Sequence, residues 1–336
     1  MIQRAIAQLF DARALSRAEM AEVMTEIADG AATPAQVGAF LAALRLKGET
    51  IEELAGAAEV MRARVERVRV AAPIFVDTCG TGGDGRHTFN ISTTAAFAVA
   101  GAGVVVAKHG NRAVSSRSGS ADVLAALGVD VDAPTPVVER AIAEVGIGFL
   151  FAQRLHPAFG AVASIRRELG VRTIFNLLGP LANPAGARHQ VMGVPEPRWV
   201  PIVGGALAIL GAVHAFVVHG EGLDEIAVTG MTHVAEVKDG AVERYAMVPE
   251  DLGLARHPEA AIAGGDATLN AAILRDVLGG QRGGPRDAAL ANAAAALVCA
   301  GAAPDLRAGV RLAAEAIDRG AAAEKLRRLV EVTRRP

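Results

Sequence analysis

Little of this sequence is aromatic: one tryptophan, one tyrosine and ten phenylalanines among 336 residues. Alanine and glycine are abundant instead, and small side chains let helices and strands approach closely. Cysteine is scarcer still. Cys79 and Cys299 stand far apart with no CxxC partner, which excludes a disulfide framework and a cysteine zinc site. Neither sign of charge dominates. With 34 basic and 36 acidic residues the formal net charge is -2, so no global field draws the chain to nucleic acid or to a membrane surface. No apolar run approaches the roughly 18 residues of a membrane span. Arg4, Asp11 and Arg13 interrupt any leader-like apolar core at the N-terminus. These absences predict a soluble, cytoplasmic protein with neither nucleic acid nor membrane as partner.

What is present begins with helix starts. Ser16-Arg17-Ala18-Glu19 and Thr50-Ile51-Glu52-Glu53 fit the capping box, and Thr33-Pro34-Ala35-Gln36 adds proline at the first helical position. Between them Phe40, Leu41 and Leu44, then Leu54, Ala57, Val60 and Met61, recur at helical spacing. No strand signal precedes Pro73. Residues 1–72 therefore read as a small helical domain with little core of its own, which must pack on the rest or on a second copy. From Ile74 the texture changes. Short apolar strands are expected at Ile74-Phe75-Val76, Val104 to Ala107, Ile147 to Phe151, Val191 to Val194 and Ala215 to Val218, with helical stretches between, including one from Ser92 to Ala102. Such alternation predicts an α/β domain over 73–336 with a mostly parallel sheet covered by helices. Lys238-Asp239-Gly240-Ala241 between two further strands marks a hairpin. The chain shows no internal repeat.

In an open parallel sheet, ligands bind beyond the carboxyl ends of the strands, and three polar clusters fall there. The first is Asp77-Thr78-Cys79-Gly80-Thr81-Gly82-Gly83-Asp84-Gly85. Glycine N–H groups make a concave nest for phosphate oxygens. Gly85 is followed by Arg86-His87 rather than Lys-Ser/Thr, so a P-loop fails. Gly80, Gly82 and Gly85 satisfy G-x-G-x-x-G, but a dinucleotide site also needs an acid about 20 residues on. The second strand delivers Lys108 there, which argues against a dinucleotide. A phosphate nest with its own acid, Asp84, suits a ribose hydroxyl or a metal-bound water; without a ligand the same residues are a glycine turn. Thr88, Asn90, Ser92 and Thr93 then sit where a helix N-terminus offers free N–H groups, though such a cluster is more often a plain cap.

The second cluster, Lys108 to Ser120, gathers a lysine, a histidine, an asparagine, two arginines and four serines. Directly after a strand it reads as a polyanion cradle, with Lys108 as a point charge and Ser115, Ser116 and Ser120 as neutral donors. His109 is open between ligand contact and structural histidine. The third, His219-Gly220-Glu221-Gly222-Leu223-Asp224-Glu225, sets two adjacent carboxylates after a strand. An acidic pair is usually surface charge, but flanking glycines and two phosphate-type loops at the same edge favour Mg²⁺. Arg166-Arg167-Glu168-Leu169-Gly170-Val171-Arg172 reads mainly as helix-surface charge, with one arginine able to hold a substrate carboxylate.

In wording, order and spacing, GTGGDG, TFNIST, KHGNRAVSSRSGSADVL, HPA, RRELGVRTIFNLLGPLANP and HGEGLDEI resemble the anthranilate phosphoribosyltransferase family. The resemblance runs from ATPAQVGAFLAALRLKGET to GGDATLNAAIL, with no amidotransferase portion. It implies the nucleoside phosphorylase/phosphoribosyltransferase type of fold, in which the helical domain makes a homodimer contact and a segment near 160–185 returns to it. It implies transfer of phosphoribosyl from phosphoribosyl pyrophosphate to anthranilate, in tryptophan biosynthesis. By the same resemblance Gly80, Gly83, Asp84, Thr88, Asn90, Ile91, Ser92 and Thr93, the run Lys108, His109, Gly110, Asn111, Arg112, Ala113, Val114, Ser115 and Ser116, and Ser120 hold phosphoribosyl pyrophosphate. Gly80, Asn111 and Arg166 meet anthranilate, with His109 and His156 lining its path. Ser92, Asp224 and Glu225 hold one Mg²⁺, and a second rides on the pyrophosphate. Lys108, Asp84 and Arg166 act by position and charge, with no strong general base. Departures from the family wording, at Gln153, Phe159-Gly160 and Ala163-Ser164, fall on the anthranilate side alone. The rivals are a pyrimidine nucleoside phosphorylase, which needs no Asp224-Glu225 pair, and a non-catalytic nucleic-acid-binding relative, which should carry a basic stripe.

Overall fold

The three capping boxes form as the hydroxyl-to-acid spacing dictates. Ser16, Thr33 and Thr50 each accept from the third helical N–H, while Glu19, Gln36 and Glu53 reach back to the cap N–H. Together with Ile2–Phe10 (α1) they start Arg17–Ala28 (α2), Pro34–Lys47 (α3) and Ile51–Arg64 (α4). The computed structural model describes residues 1–113 and 117–335. Glu53 is the pin of this module. It is fully buried, takes Lys47 Nζ at 2.7 Å and accepts from the backbone N–H of Leu15 and Thr50. The module's core is not its own: Phe40, Leu44, Leu54 and Met61 share one apolar cluster with Phe159, Val162, Phe175, Leu178 and Leu181, and with Trp199, Val203 and Leu207.

The sheet has seven strands in the order β3-β2-β1-β4-β5-β6-β7. They are Phe75–Gly80 (β1), Val105–Gly110 (β2), Ile147–Phe151 (β3), His189–Gly193 (β4), His214–Gly220 (β5), Thr232–Lys238 (β6) and Ala241–Met247 (β7). β1 through β5 pair in parallel, and β6 and β7 add antiparallel edges. The expected hairpin closes on Asp239 and Gly240, both with positive φ, as a two-residue primed turn requires. Ile91–Gly101 (α5) and the alanine-rich helix Gly284–Cys299 are apolar nearly all round because both lie inside, packed on each other and on the sheet. Phe97 and Phe216, each about 1% exposed, anchor this core at roughly 2–3 kcal/mol apiece. Among the described residues no helix is long and apolar enough to cross a membrane.

Two expected boundaries move. β1 continues to Gly80 and β2 to Gly110, so Asp77, Thr78, Lys108 and His109 are strand residues rather than loop. Polar side chains inside a parallel sheet weaken the apolar run that marks a strand, which is why the sequence signal stops short.

Candidate active site

All three polar clusters meet at the carboxyl edge of the parallel strands. β1 lies between β2 and β4, where the order of strands reverses direction, so the glycine loop leaves the sheet at its topological switch point. The cavity there is about 280 Å³. Gly80 to Asp84, Thr88 to Thr93, Lys108 to Ala113, Ser120, Arg166, Asp224 and Glu225 all line it. Val114, Ser115 and Ser116, expected in the anion cradle, lie outside the described residues.

The acid pair is brought in by glycine. A Cβ on Gly193 would lie 1.5 Å from the Asp224 carbonyl oxygen, and one on Gly80 would lie 2.3 Å from Asp224 Oδ2. The ends of β1 and β4 can carry no side chain if the 221–225 loop is to dock. Once docked, Asp224 Oδ2 accepts from Gly82 N at 2.6 Å, and Glu225 Oε1 accepts from Ser92 N at 3.0 Å at the start of α5. Asn292, on the buried alanine-rich helix, grips both the N–H and the carbonyl of Ile226 and fixes the loop from beneath.

Burial raises both carboxyls. Asp224 is pushed well above the usual carboxylate range by desolvation and then by Asp84 and Glu225; Glu225 is pushed up to about 7 by desolvation, against the pull of Lys108. Three acids with one buried ammonium between them favour a further cation. Among the described residues no three His, Cys, Asp or Glu side chains form a closed metal cage. Mg²⁺ needs none, since it keeps waters and takes phosphate oxygens beside one or two carboxylates. The donor set therefore fits that ion.

Lys108 is buried. Its Nζ donates to the Thr78 carbonyl and, at 3.4 Å, to Ser92 Oγ. Desolvation lowers its pKa and the carboxylates, Asp77 first, raise it. Asp77 is a site residue that the sequence reading left without a role: fully buried, it accepts from His109 N, Asn183 Nδ2 and Gln190 Nε2 and so ties β2 to β1 beneath Lys108. Only an aspartate inside a strand signalled it. Asn270 is a second such residue, holding Asn90 Oδ1 at 2.9 Å from the helix Ala267–Leu278.

The Arg166 guanidinium lies 5.8 Å from the centre of the Phe175 ring and lines the same cavity. Arg112 lines the cavity too, but its Nη1 is 3.2 Å from Asp122 Oδ1. Ser120 Oγ donates to the Asn111 carbonyl at 3.3 Å. His109 and His156 face each other with Nε2 atoms 3.2 Å apart. His109 lines the cavity, while His156 stands behind it. Burial, then the neighbouring ring, lowers His109 to about 3, and burial lowers His156 to about 4. Both rings are neutral at neutral pH. Arg172, read as helix-surface charge, instead follows the helix Val162–Leu169 and is a half-buried wall of the cavity.

The comparisons with known proteins agree with one another. Residues 72–323 match a glycosyl transferase family α/β domain and residues 3–65 its helical bundle domain. The chain is 81% identical over 334 residues to an anthranilate phosphoribosyltransferase of Anaeromyxobacter sp. (strain Fw109-5), covering 99% of each. It is 56% identical to one from Syntrophobacter fumaroxidans, again over 99% of both. In structure it is similar to the anthranilate phosphoribosyltransferase of Thermus thermophilus, with TM-score 0.93, 46% identity and 98% and 99% of the two chains covered. It is also similar to the Saccharomyces cerevisiae enzyme in complex with PRPP and Mg, with TM-score 0.89, 28% identity and 99% and 97% covered.

Proposed function

The chain belongs to the anthranilate phosphoribosyltransferase family, and from that premise we propose how its pocket carries out the family's reaction. It transfers the phosphoribosyl group of phosphoribosyl pyrophosphate to the amine of anthranilate, giving N-(5-phosphoribosyl)anthranilate and pyrophosphate, a step of tryptophan biosynthesis. The observation that carries the reading is the gathering of anion-binding, metal-binding and carboxylate-binding groups around one cavity. The glycine loop, Lys108 and the Asp224-Glu225 pair line the same cavity as Arg166, which lies against the Phe175 ring.

Pyrophosphate leaves the anomeric carbon as a polyanion while the ribose gains oxocarbenium character. Lys108 and the loop N–H groups meet the charge on the departing oxygens. Asp84 is placed for a ribose hydroxyl. Mg²⁺, when bound, would sit on Ser92, Asp224 and Glu225 and neutralise phosphate charge, and a second ion would travel with the pyrophosphate. Asn111 and Arg166 orient the anthranilate carboxylate so that the amine faces the anomeric carbon, a positional contribution. An aryl amine has a free lone pair at neutral pH and sheds its proton after bond formation, so neutral His109, backed by His156, suffices as a polar wall. The decisive assay follows anthranilate fluorescence after addition of phosphoribosyl pyrophosphate, with and without Mg²⁺; no decay under either condition would sink the reading.

Arg166→Ala is expected to raise the anthranilate KM by roughly 10-fold or more and the phosphoribosyl pyrophosphate KM by less than about 3-fold, the loss of a charge-assisted pair. Initial rates with each substrate varied in turn check this, and equal shifts would remove Arg166 from the carboxylate end. A homodimer through the helical module is supported by two exposed apolar side chains there, Phe10 at 72% and Leu46 at 88%. Sedimentation velocity at micromolar concentration should give a species of twice the chain mass; a monomer would refute it.

A further inference from the structure

With the carboxylate role given to Arg166, Arg172 is a cavity-wall arginine to which the reaction above supplies no task. It stands just beyond the left-handed Gly170, where the chain leaves the helices for the sheet, and it walls two cavities at once. Towards the main cavity it lies on the glycine loop. A Cβ built on Gly83 would sit 1.3 Å from Arg172 Nη1, so the guanidinium occupies the place a side chain would take. Gly83 has φ +79°, one of the loop conformations that turn successive N–H groups to a common concave side. Away from the loop is a second cavity of about 10 Å³, room for about one water, shared with Glu49, Thr173 and Glu196. Arg172 Nη2, Thr173 Oγ1 and Glu49 Oε2 are all buried without a hydrogen-bond partner. Burial disfavours the charged guanidinium and Arg45 repels it, while Asp224, Glu196 and Asp84 attract it through space, between the phosphate loop and the junction with α3 and α4.

We propose that Arg172 is a positioning residue: its guanidinium backs Gly83 and keeps the glycine loop in the shape that receives the pyrophosphate and ribose. This rests on the functional reading above and extends it to a residue to which that reading gave no role of its own. A planar guanidinium laid against a peptide fixes the loop as a flexible ammonium cannot. Displacement of such a loop by about 1 Å is enough to cost a site its alignment.

The test uses the full chain with Arg172→Ala and Arg172→Lys, each first checked for folding by circular dichroism melting. Arg172→Ala should raise the phosphoribosyl pyrophosphate KM by roughly 10-fold or more, with the anthranilate KM changed less than about 3-fold. Hydrogen exchange should quicken in the peptide covering 80–86 and stay at parental rates in the rest of the sheet. Guanidinium chloride at about 50 mM should recover part of the loss, which no purely structural defect would allow. Arg172→Lys should fall between parent and alanine. Equal shifts in both KM values, or parental exchange across 80–86, would overturn the assignment. If the alanine variant does not fold, the lysine variant decides by the same two readouts. Failure of the parent to consume anthranilate would strike the functional reading instead, and the exchange measurement on the unliganded chain would still judge Arg172.

Discussion

Asp224→Asn with Glu225→Gln is expected to lower turnover on the order of 10²- to 10³-fold and to flatten its dependence on magnesium concentration. The same pair of changes should make the unliganded chain more stable above neutral pH. Both carboxyls are raised by burial, Glu225 to about 7, so the fold favours their protonated forms. Stability from such groups is fully present below the unfolded carboxyl range and is lost as pH rises through the folded value. For Glu225 that window runs from about 4.5 to about 7. At pH 8 the parent therefore carries an electrostatic penalty on the order of a few kcal/mol, which the neutral isosteres remove. Melting temperatures of parent and variant at pH 5 and pH 8, taken without and with Mg²⁺, check this. The variant should gain over the parent mainly at pH 8, and Mg²⁺ should raise the parent alone. An unaltered magnesium titration of rate would dismiss the pair as the metal site.

Lys108→Met should be the most damaging single change at the anion end, for two separable reasons. Removing a preorganised cation from the departing pyrophosphate is expected to slow turnover by roughly 10²-fold or more. It also removes a positive charge that acts through space on Asp77, which is buried against Asn183, Gln190 and the His109 N–H. Since the two do not form a contact ion pair, the cost with Asp77 ionised should lie below the about 3–5 kcal/mol of breaking a buried one. Burial raises Asp77 and Lys108 lowers it, so in the variant its pKa rises further. The loss of stability should therefore grow with pH and shrink in mild acid, where Asp77 takes up a proton. Thermal melts from pH 5 to pH 8 report the stability part, and initial rates at a temperature well below both melting points report the catalytic part. A stability deficit independent of pH would mean that Asp77 does not depend on Lys108.

Legibility in the sequence followed how local each signal is. Hydroxyl and acid three residues apart act within one turn of helix, and all three capping boxes formed. Asp239-Gly240 acts within one hairpin and did the same. The clusters at Gly80, Lys108 and Asp224 could be placed at one sheet edge because parallel strands all present the same end to it. What stayed hidden depends on partners far along the chain. Asp77 looked like the first residue of a loop, since nothing nearby announces Asn183 or Gln190. Arg172 looked like surface charge, since Gly83 is brought to it only by the finished sheet. Gly193, which sits in no recognised motif, is needed only because the Asp224 backbone passes over it. The neutral pairing of His109 with His156 likewise needed two strands' worth of geometry before either ring could be given a state.

The shared core of the N-terminal helices has a consequence for how the chain is made. α1 through α4 leave the ribosome first, yet their apolar faces close against Phe159, Leu178, Trp199 and Leu207. At about 5–20 residues per second, the order of ten seconds passes between completion of α4 and arrival of the last of these partners. Through that interval Phe40, Leu44 and Leu54 have only the module's own side chains, Met20, Val23 and Met24 among them, for cover. The nascent chain is thus at its stickiest early, and chaperone demand should fall on its first quarter rather than on the slow parallel sheet that follows.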